Sequence, residues 1–264
     1  MAAIVWLNDL PLWASILVLV GGAIALSIIG TAVSGLFFGE QQLSLNNIVG
    51  GFKYLYISSV YASFLGFLLF GVYNRYDKQR EDVVNEVGEL TTLDRLAVAF
   101  PAATRIQLRE GVKEYARQVV DVEWPQLRGR SARLTMISAL DNLDYTYAAV
   151  EPTTRKQREL IKYSRALLSH IRDQRGIRIL RSRGTLQVLL WVVTLTGTAI
   201  AMVFPWVFGS PNINATMLMS ILSTLLMASI VLVVLKLSYP FSGEYGILPT
   251  PYSAFIKEVS ARGS

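Results

Sequence analysis

Hydrophobic positions along this chain fall into four long unbroken runs. They extend roughly from Leu12 to Phe38, Val49 to Tyr73, Leu186 to Phe208 and Ile213 to Leu237. Each exceeds the roughly 20 residues that cross about 30 Å of hydrocarbon at 1.5 Å per residue, so each predicts a transmembrane helix. Within them only Lys53 and Lys236 are charged, both near an end, where a long lysine stem can carry its ammonium to the interface. The first run has a small-residue site at Ala32-Val33-Ser34 but no basic segment before it, and it is too long for a leader. It is read as a retained helix.

Between the second and third runs the pattern changes to apolar stripes at helical spacing. Leu108, Val112, Tyr115, Val119 and Val122 recur at steps of 4, 3, 4 and 3, the mark of a helix packed on one side. Trp124-Pro125 is expected to stop it, because proline disfavours a helical residue before it. Another helix is predicted from Ser131 to Ala149, then one capped by Thr153 or Thr154, with Leu160, Tyr163, Leu167 and Ile171 on its packed side and a break at Gly176 or Gly184. Tyr76 to Leu96 extends the second run. The fold class is therefore an all-α membrane protein: hairpins over residues 1–74 and 185–238, a helical domain over 75–184 inserted between them, and a tail over 239–264.

Charge orients this arrangement. Residues Arg75 to Arg183 hold 21 of the 25 Lys and Arg and 15 of the 19 acids, so this segment carries the whole net charge of +6. Glu40 stands alone in 39–48, and 209–212 hold no charge. By the positive-inside rule the middle segment and both termini are cytoplasmic. Only 17% of residues are charged against about 25% in soluble domains, which agrees with a membrane setting. With no cysteine and one histidine, thiol catalysis and Cys- or His-rich metal sites are excluded; no cofactor, nucleic-acid partner or enzymatic grouping is expected.

"YARQVVDVEWPQL" resembles the signature of the bacterial bestrophin-like domain family at Tyr115, Ala116, Val119, Val120, Glu123, Trp124 and Pro125. "LSYPFSGEYGILP" is similar to its closing element at Pro240, Phe241 and Gly243, and "NNIVGGFKYLYISSVYASFLGFLLFGVYNRYD" looks like its second membrane segment. The resemblance implies four membrane helices around a helical inner region, a bacterial inner (plasma) membrane location, and, by distant analogy to pentameric bestrophin channels, an oligomeric pore. The chain lacks a bestrophin-type pore-neck pattern and an acidic run like their calcium clasp, so no calcium-binding residue is carried over. The signature residues are read as structural.

Candidate chemistry centres on the second run. At 100° per residue, Phe52, Tyr56, Ser59, Ser63, Gly66, Phe70 and Asn74 share one face. Tyr56, Ser59, Ser63, Gly66 and Asn74 would line a pore, with Phe52 and Phe70 as hydrophobic gates; close helix packing is the rival reading of the same small residues. Ile57, Leu65, Leu68 and Val72, opposite, are read as lipid-facing. Lys53 would sit at the outer mouth and concentrate anions. Arg175, Arg178, Arg181 and Arg183 are read as contacts for anionic lipid headgroups. Ala23, Ser27, Thr31 and Gly35, and Ser220, Thr224 and Ala228, read as helix-packing seams. His170 is read as a boundary residue, and Asp141 and Asp144 as a solvated face. The functional expectation is a homo-oligomeric ion channel, for anions rather than cations, that closes a ring around the second helix; the alternative is a membrane-anchored scaffold whose inner helices bind a partner.

Overall fold

Apolar length becomes helix throughout the computed structural model, which describes residues 2–37, 47–132, 138–207 and 212–262. Among these residues every regular element is helical. The expectations that touch Phe38, Glu40 and Phe208 lie outside them. The chain divides into two units.

The first unit, Met1–Arg75 with Thr185–Ser238, holds the four apolar runs. A short α1 (Ala2–Asp9) ends at Leu10-Pro11, where Pro11 takes the N-cap position of α2 (Leu12–Phe37). Ser15 ties this corner by donating its hydroxyl to Leu7 O at 3.0 Å. Helix α3 (Asn47–Leu96) is one continuous helix of 50 residues, so the extension of the second run through Leu96 is borne out. Counting the short Trp124–Arg128 helix of the second unit as α5, the first unit closes with α8 (Val188–Val203), a 3₁₀ turn (Phe204–Val207) and α9 (Ile213–Leu237). Among the described residues, four helices are long and apolar enough to cross a membrane.

Small residues let these helices meet, as lipid-embedded packing requires. On α2 the buried face is Ser27, Gly30, Thr31 and Ser34; Ser220, Thr224 and Ala228 are buried on α9. The α2 seam thus shares Ser27 and Thr31 with the expected one, while Gly35 stays exposed. The Trp206 indole lies against Gly30, where no larger side chain has room, and Ser34 donates its hydroxyl to the Trp206 carbonyl. Between α3 and α8, Tyr61 lies against Gly197 in the same way and donates its hydroxyl to Thr194 O at 2.7 Å.

The second unit, Tyr76–Gly184 with Tyr239–Ser264, packs around a conventional apolar core. Its helices are the second half of α3, α4 (Ala102–Gln118), α5 (Trp124–Arg128), α6 (Ser138–Ala149), α7 (Arg155–Ser182) and α10 (Thr250–Arg262). Leu90, Leu93, Leu108, Val112, Leu143 and Tyr147 are fully buried in it. Thr154 caps α7 by accepting from the Gln157 amide, as expected, and Gly184 with φ 115° follows its end.

Three local expectations are corrected. Trp124-Pro125 does not stop the helix: a π-helical turn, Val119–Glu123, joins α4 to α5. The wider turn accommodates a residue that lacks an N–H and whose ring would strike the carbonyl four residues back. Ser131 and Ala132 are not helical, and 133–137 lie outside the described residues, so α6 is described only from Ser138. On α7 the buried side runs through Ile161, Ser164, Leu168, Ile171, Arg175 and Arg178, while Tyr163 is half exposed; the polar members disguised the true stripe.

Candidate functional site

The predicted pore face occupies the first half of α3. Phe52, Tyr56, Ser59, Ser63, Gly66, Phe70 and Asn74 are all exposed on the single chain, and Lys53 is exposed beside Phe52. The opposite side is taken: Tyr61, Leu65, Leu68 and Val72 are buried. The lipid-facing assignment of Leu65, Leu68 and Val72 is therefore corrected, because this side carries Tyr61 into its contact with α8. Ser59 donates to Leu55 O at 2.6 Å and Ser63 to Ser59 O at 2.9 Å, so each hydroxyl proton is held by the helix and its oxygen keeps lone pairs on the open side.

In the second unit the sequence signature converges on one buried node. Arg178 on α7, 1% exposed, donates Nε to Glu123 Oε1 at 2.8 Å and also meets Glu86 of α3. Its Nη1 reaches the Tyr252 hydroxyl of α10 at 2.9 Å. Arg175 Nε donates to Glu123 Oε2 at 2.6 Å, and the Tyr115 hydroxyl donates to Glu86 Oε1 at 2.7 Å. Trp124 stacks its edges near Phe241 and Tyr252, at 5.5 and 5.7 Å between centroids, with the Arg178 guanidinium 5.8 Å from its ring. Its indole N–H donates to Ile247 O at 3.0 Å.

Two arginines and two glutamates balance here, which is how buried charge survives in low dielectric. Burial disfavours the charge on Arg178, but Glu123 and Glu86 more than offset this and hold its pKa well above the ordinary value. Burial raises the Glu86 carboxyl; Arg178 and the Tyr115 hydroxyl oppose the rise without cancelling it. Tyr115 and Tyr252 are pushed far up by burial, so both remain hydroxyl donors.

This geometry corrects the lipid reading of Arg175 and Arg178, which face carboxylates inside the unit rather than headgroups. Arg181 lies near Asp82 at 3.7 Å and Gln79 at 3.4 Å, and Arg183 is exposed. His170 meets Glu89, and Arg172 pairs with Asp144 and, at 3.7 Å, Asp141. Glu86 was missed by the sequence reading. Its signal was present: Gln79, Val83, Glu86, Leu90 and Leu93 form a stripe at steps of 4, 3, 4 and 3, with an acid in a core position.

The closing element shapes its own turn. Ile247 N donates to Pro240 O at 2.7 Å, and Gly243 adopts φ 75°, a left-handed conformation that favours glycine. Pro240 and Phe241 are buried, and Ser242 donates its hydroxyl to Arg128 O at 2.9 Å. Of the signature residues only Pro125 is exposed, its role being the π-helical turn before it.

The family model for the bestrophin-like domain matches residues 21–252. The chain belongs to this family. No curated protein and no solved structure matches it. In this bestrophin-like chain the match takes in the three later apolar helices, most of the first and the whole buried node. The Tyr115, Glu123 and Trp124 motif and the Phe241 element, 117 residues apart between Trp124 and Phe241, meet at one place.

Proposed function

We propose that this bestrophin-like membrane protein is the subunit of a homo-oligomeric ion channel, its pore lined by the first half of α3. One observation carries the reading: the face holding Tyr56, Ser59, Ser63, Phe70 and Asn74 is uncovered, although the same helix packs its other side against α8. Hydroxyls, a carboxamide and bare glycine backbone suit a hydrated path better than lipid. Identical subunits enclose a path by closing a ring, which brings one such face from each copy to a shared axis. In that ring Phe52 and Phe70 form apolar constrictions at either end of the hydroxyl stretch, and the anion preference follows from Lys53 beside Phe52. Arg183 contacts anionic headgroups.

Flux from purified protein in liposomes tests this. Phe70→Ala should raise ion leak severalfold over wild type by removing an apolar constriction, and Lys53→Glu should shift the ion preference from anions toward cations. Background flux in wild type and both variants alike overturns the channel reading and leaves the scaffold alternative.

A further inference from the structure

A groove of about 870 Å³ opens on the second unit, within the size range of small-molecule sites. Its apolar part is Phe100 and Pro101, where the chain turns into α4, with Val150 just past α6. Thr104 and Gln107 of α4 form one wall, and Tyr145 and Thr146 of α6 another. The rim at α7 is braced. Gln157 donates Nε2 to Ala99 O at 3.2 Å, and its Oε1 accepts from the Thr153 hydroxyl at 2.8 Å and the Thr153 amide at 3.0 Å. These bonds hold the groove open without engaging the side chains of Thr104, Gln107 or Tyr145.

Charge decides what fits. Residues Arg75 to Arg183 hold 21 of the 25 Lys and Arg, yet among the described residues no Lys, Arg or His lines the groove. Its one charged lining residue is Glu151, which is exposed and in no ion pair among the described residues. Two residues before it, α6 ends at Ala149. The last carbonyls of a helix lack partners within it and carry the negative end of its dipole. Tyr145, 74% exposed, adds an aromatic face, whose quadrupole attracts cations. A ligand bearing phosphate or carboxylate meets no counter-ion side chain here. A metal ion meets one carboxylate where it needs several oxygen ligands. The groove matches positive charge carried on an organic body.

We propose that this groove binds a small organic ammonium ion. The ammonium sits between the Glu151 carboxylate and the carbonyl end of α6, and the hydrocarbon body lies across Tyr145 and Val150. Thr104 and Gln107 offer neutral hydrogen bonds along the α4 wall, and the positive start of α4 keeps the charge on the α6 side. The site is independent of the pore reading, since it uses no residue of the α3 face.

Saturation-transfer NMR titration of the purified full chain in detergent reads the site. The probes are a linear four-carbon diamine and the matching neutral diol, at constant ionic strength. Wild type should bind the diamine saturably and the diol not at all. Glu151→Gln should weaken diamine binding about fivefold, and Tyr145→Ala about twofold to fivefold. Both side chains are exposed, so both variants should fold as wild type does. Glu159→Gln, at an exposed acid outside the groove, should leave binding unchanged. Absence of saturable diamine binding to wild type overturns the proposal, and so does equal binding of the diol. Undiminished affinity in Glu151→Gln, or an equal loss in Glu159→Gln, also overturns it, since either places the diamine on general surface charge.

Discussion

Replacing Arg178 with alanine is expected to lower the unfolding free energy of the second unit by about 3–5 kcal/mol, the cost of removing one member of a buried, hydrogen-bonded ion cluster. Glu86 and Glu123, 1% and 2% exposed, would then share a site with Arg175 as the cation left in contact with Glu123. Tyr252 also loses its guanidinium partner. Lysine at the same position should recover only part of the loss, since one ammonium cannot reproduce the forked contacts to two carboxylates and a hydroxyl. Thermal unfolding in detergent measures both. A melting temperature for Arg178→Ala within a degree or two of wild type would show that the cluster contributes nothing net. The double variant Arg178→Met with Glu86→Gln should be more stable than Arg178→Ala alone, because it removes a stranded charge together with its partner.

The same node sets a pH dependence with a defined sign. Burial raises the Glu86 carboxyl above its ordinary value of 4.5, so between that value and the raised one the folded state holds more protons than the unfolded. Glu86 therefore contributes its stability fully below about pH 4.5 and loses it as pH climbs through the raised value. Glu86→Gln should remove this descending component, seen as a flatter plot of melting temperature against pH above 4.5. An unchanged slope would mean that Arg178 neutralises the carboxylate in full. The alanine variant at Arg178 should be less damaging in acid than at pH 8, because both stranded glutamates can then take up protons.

Much of this architecture was legible because lipid imposes few solutions. A run such as Ile213 to Leu237 has no other stable form than a helix, so its bounds match the observed element residue for residue. The cap at Thr154, one of the two threonines offered for it, was legible for a similarly local reason. Faces were harder. On α3 the polar side was recognised, but the apolar side was assigned to lipid because Leu and Val suit lipid and protein equally; only Tyr61, with a hydroxyl that needs a partner, marked it as the packed side. On α7 the basic run Arg175, Arg178 and Arg181 resembled a lipid-facing surface. A lone sequence cannot distinguish an exposed arginine from one that meets a glutamate 55 residues away, as Arg178 meets Glu123. The π-helical turn was invisible because the preference of proline for a helix start argues equally for a break.

Trp124→Ala should match the Arg178 variant in magnitude, about 3–5 kcal/mol, by a different route. The indole is 2% exposed and packs its edges against Phe241 and Tyr252, so its removal opens a cavity between α5, the closing turn and α10. It also leaves the Ile247 carbonyl without its donor and the Arg178 guanidinium without the ring beside it. Phenylalanine in its place keeps most of the contact area but not the N–H, and should cost roughly 1 kcal/mol. The two variants separate the cavity from the hydrogen bond. The distinguishing readout is local: if Trp124 anchors the closing segment, limited proteolysis should cut the 239–249 stretch much faster in Trp124→Ala than in Trp124→Phe, while the α4–α6 core around Leu108 and Leu143 stays protected longer. Equal cleavage in both variants would place the stability of that segment elsewhere, in the Tyr252 and Phe255 contacts of α10 with the core. Because Trp124 touches the closing turn, α10 and the Arg178 node at once, its loss should also make the melting-temperature effect of Arg178→Ala smaller than in wild type, a non-additivity that a double-mutant cycle resolves.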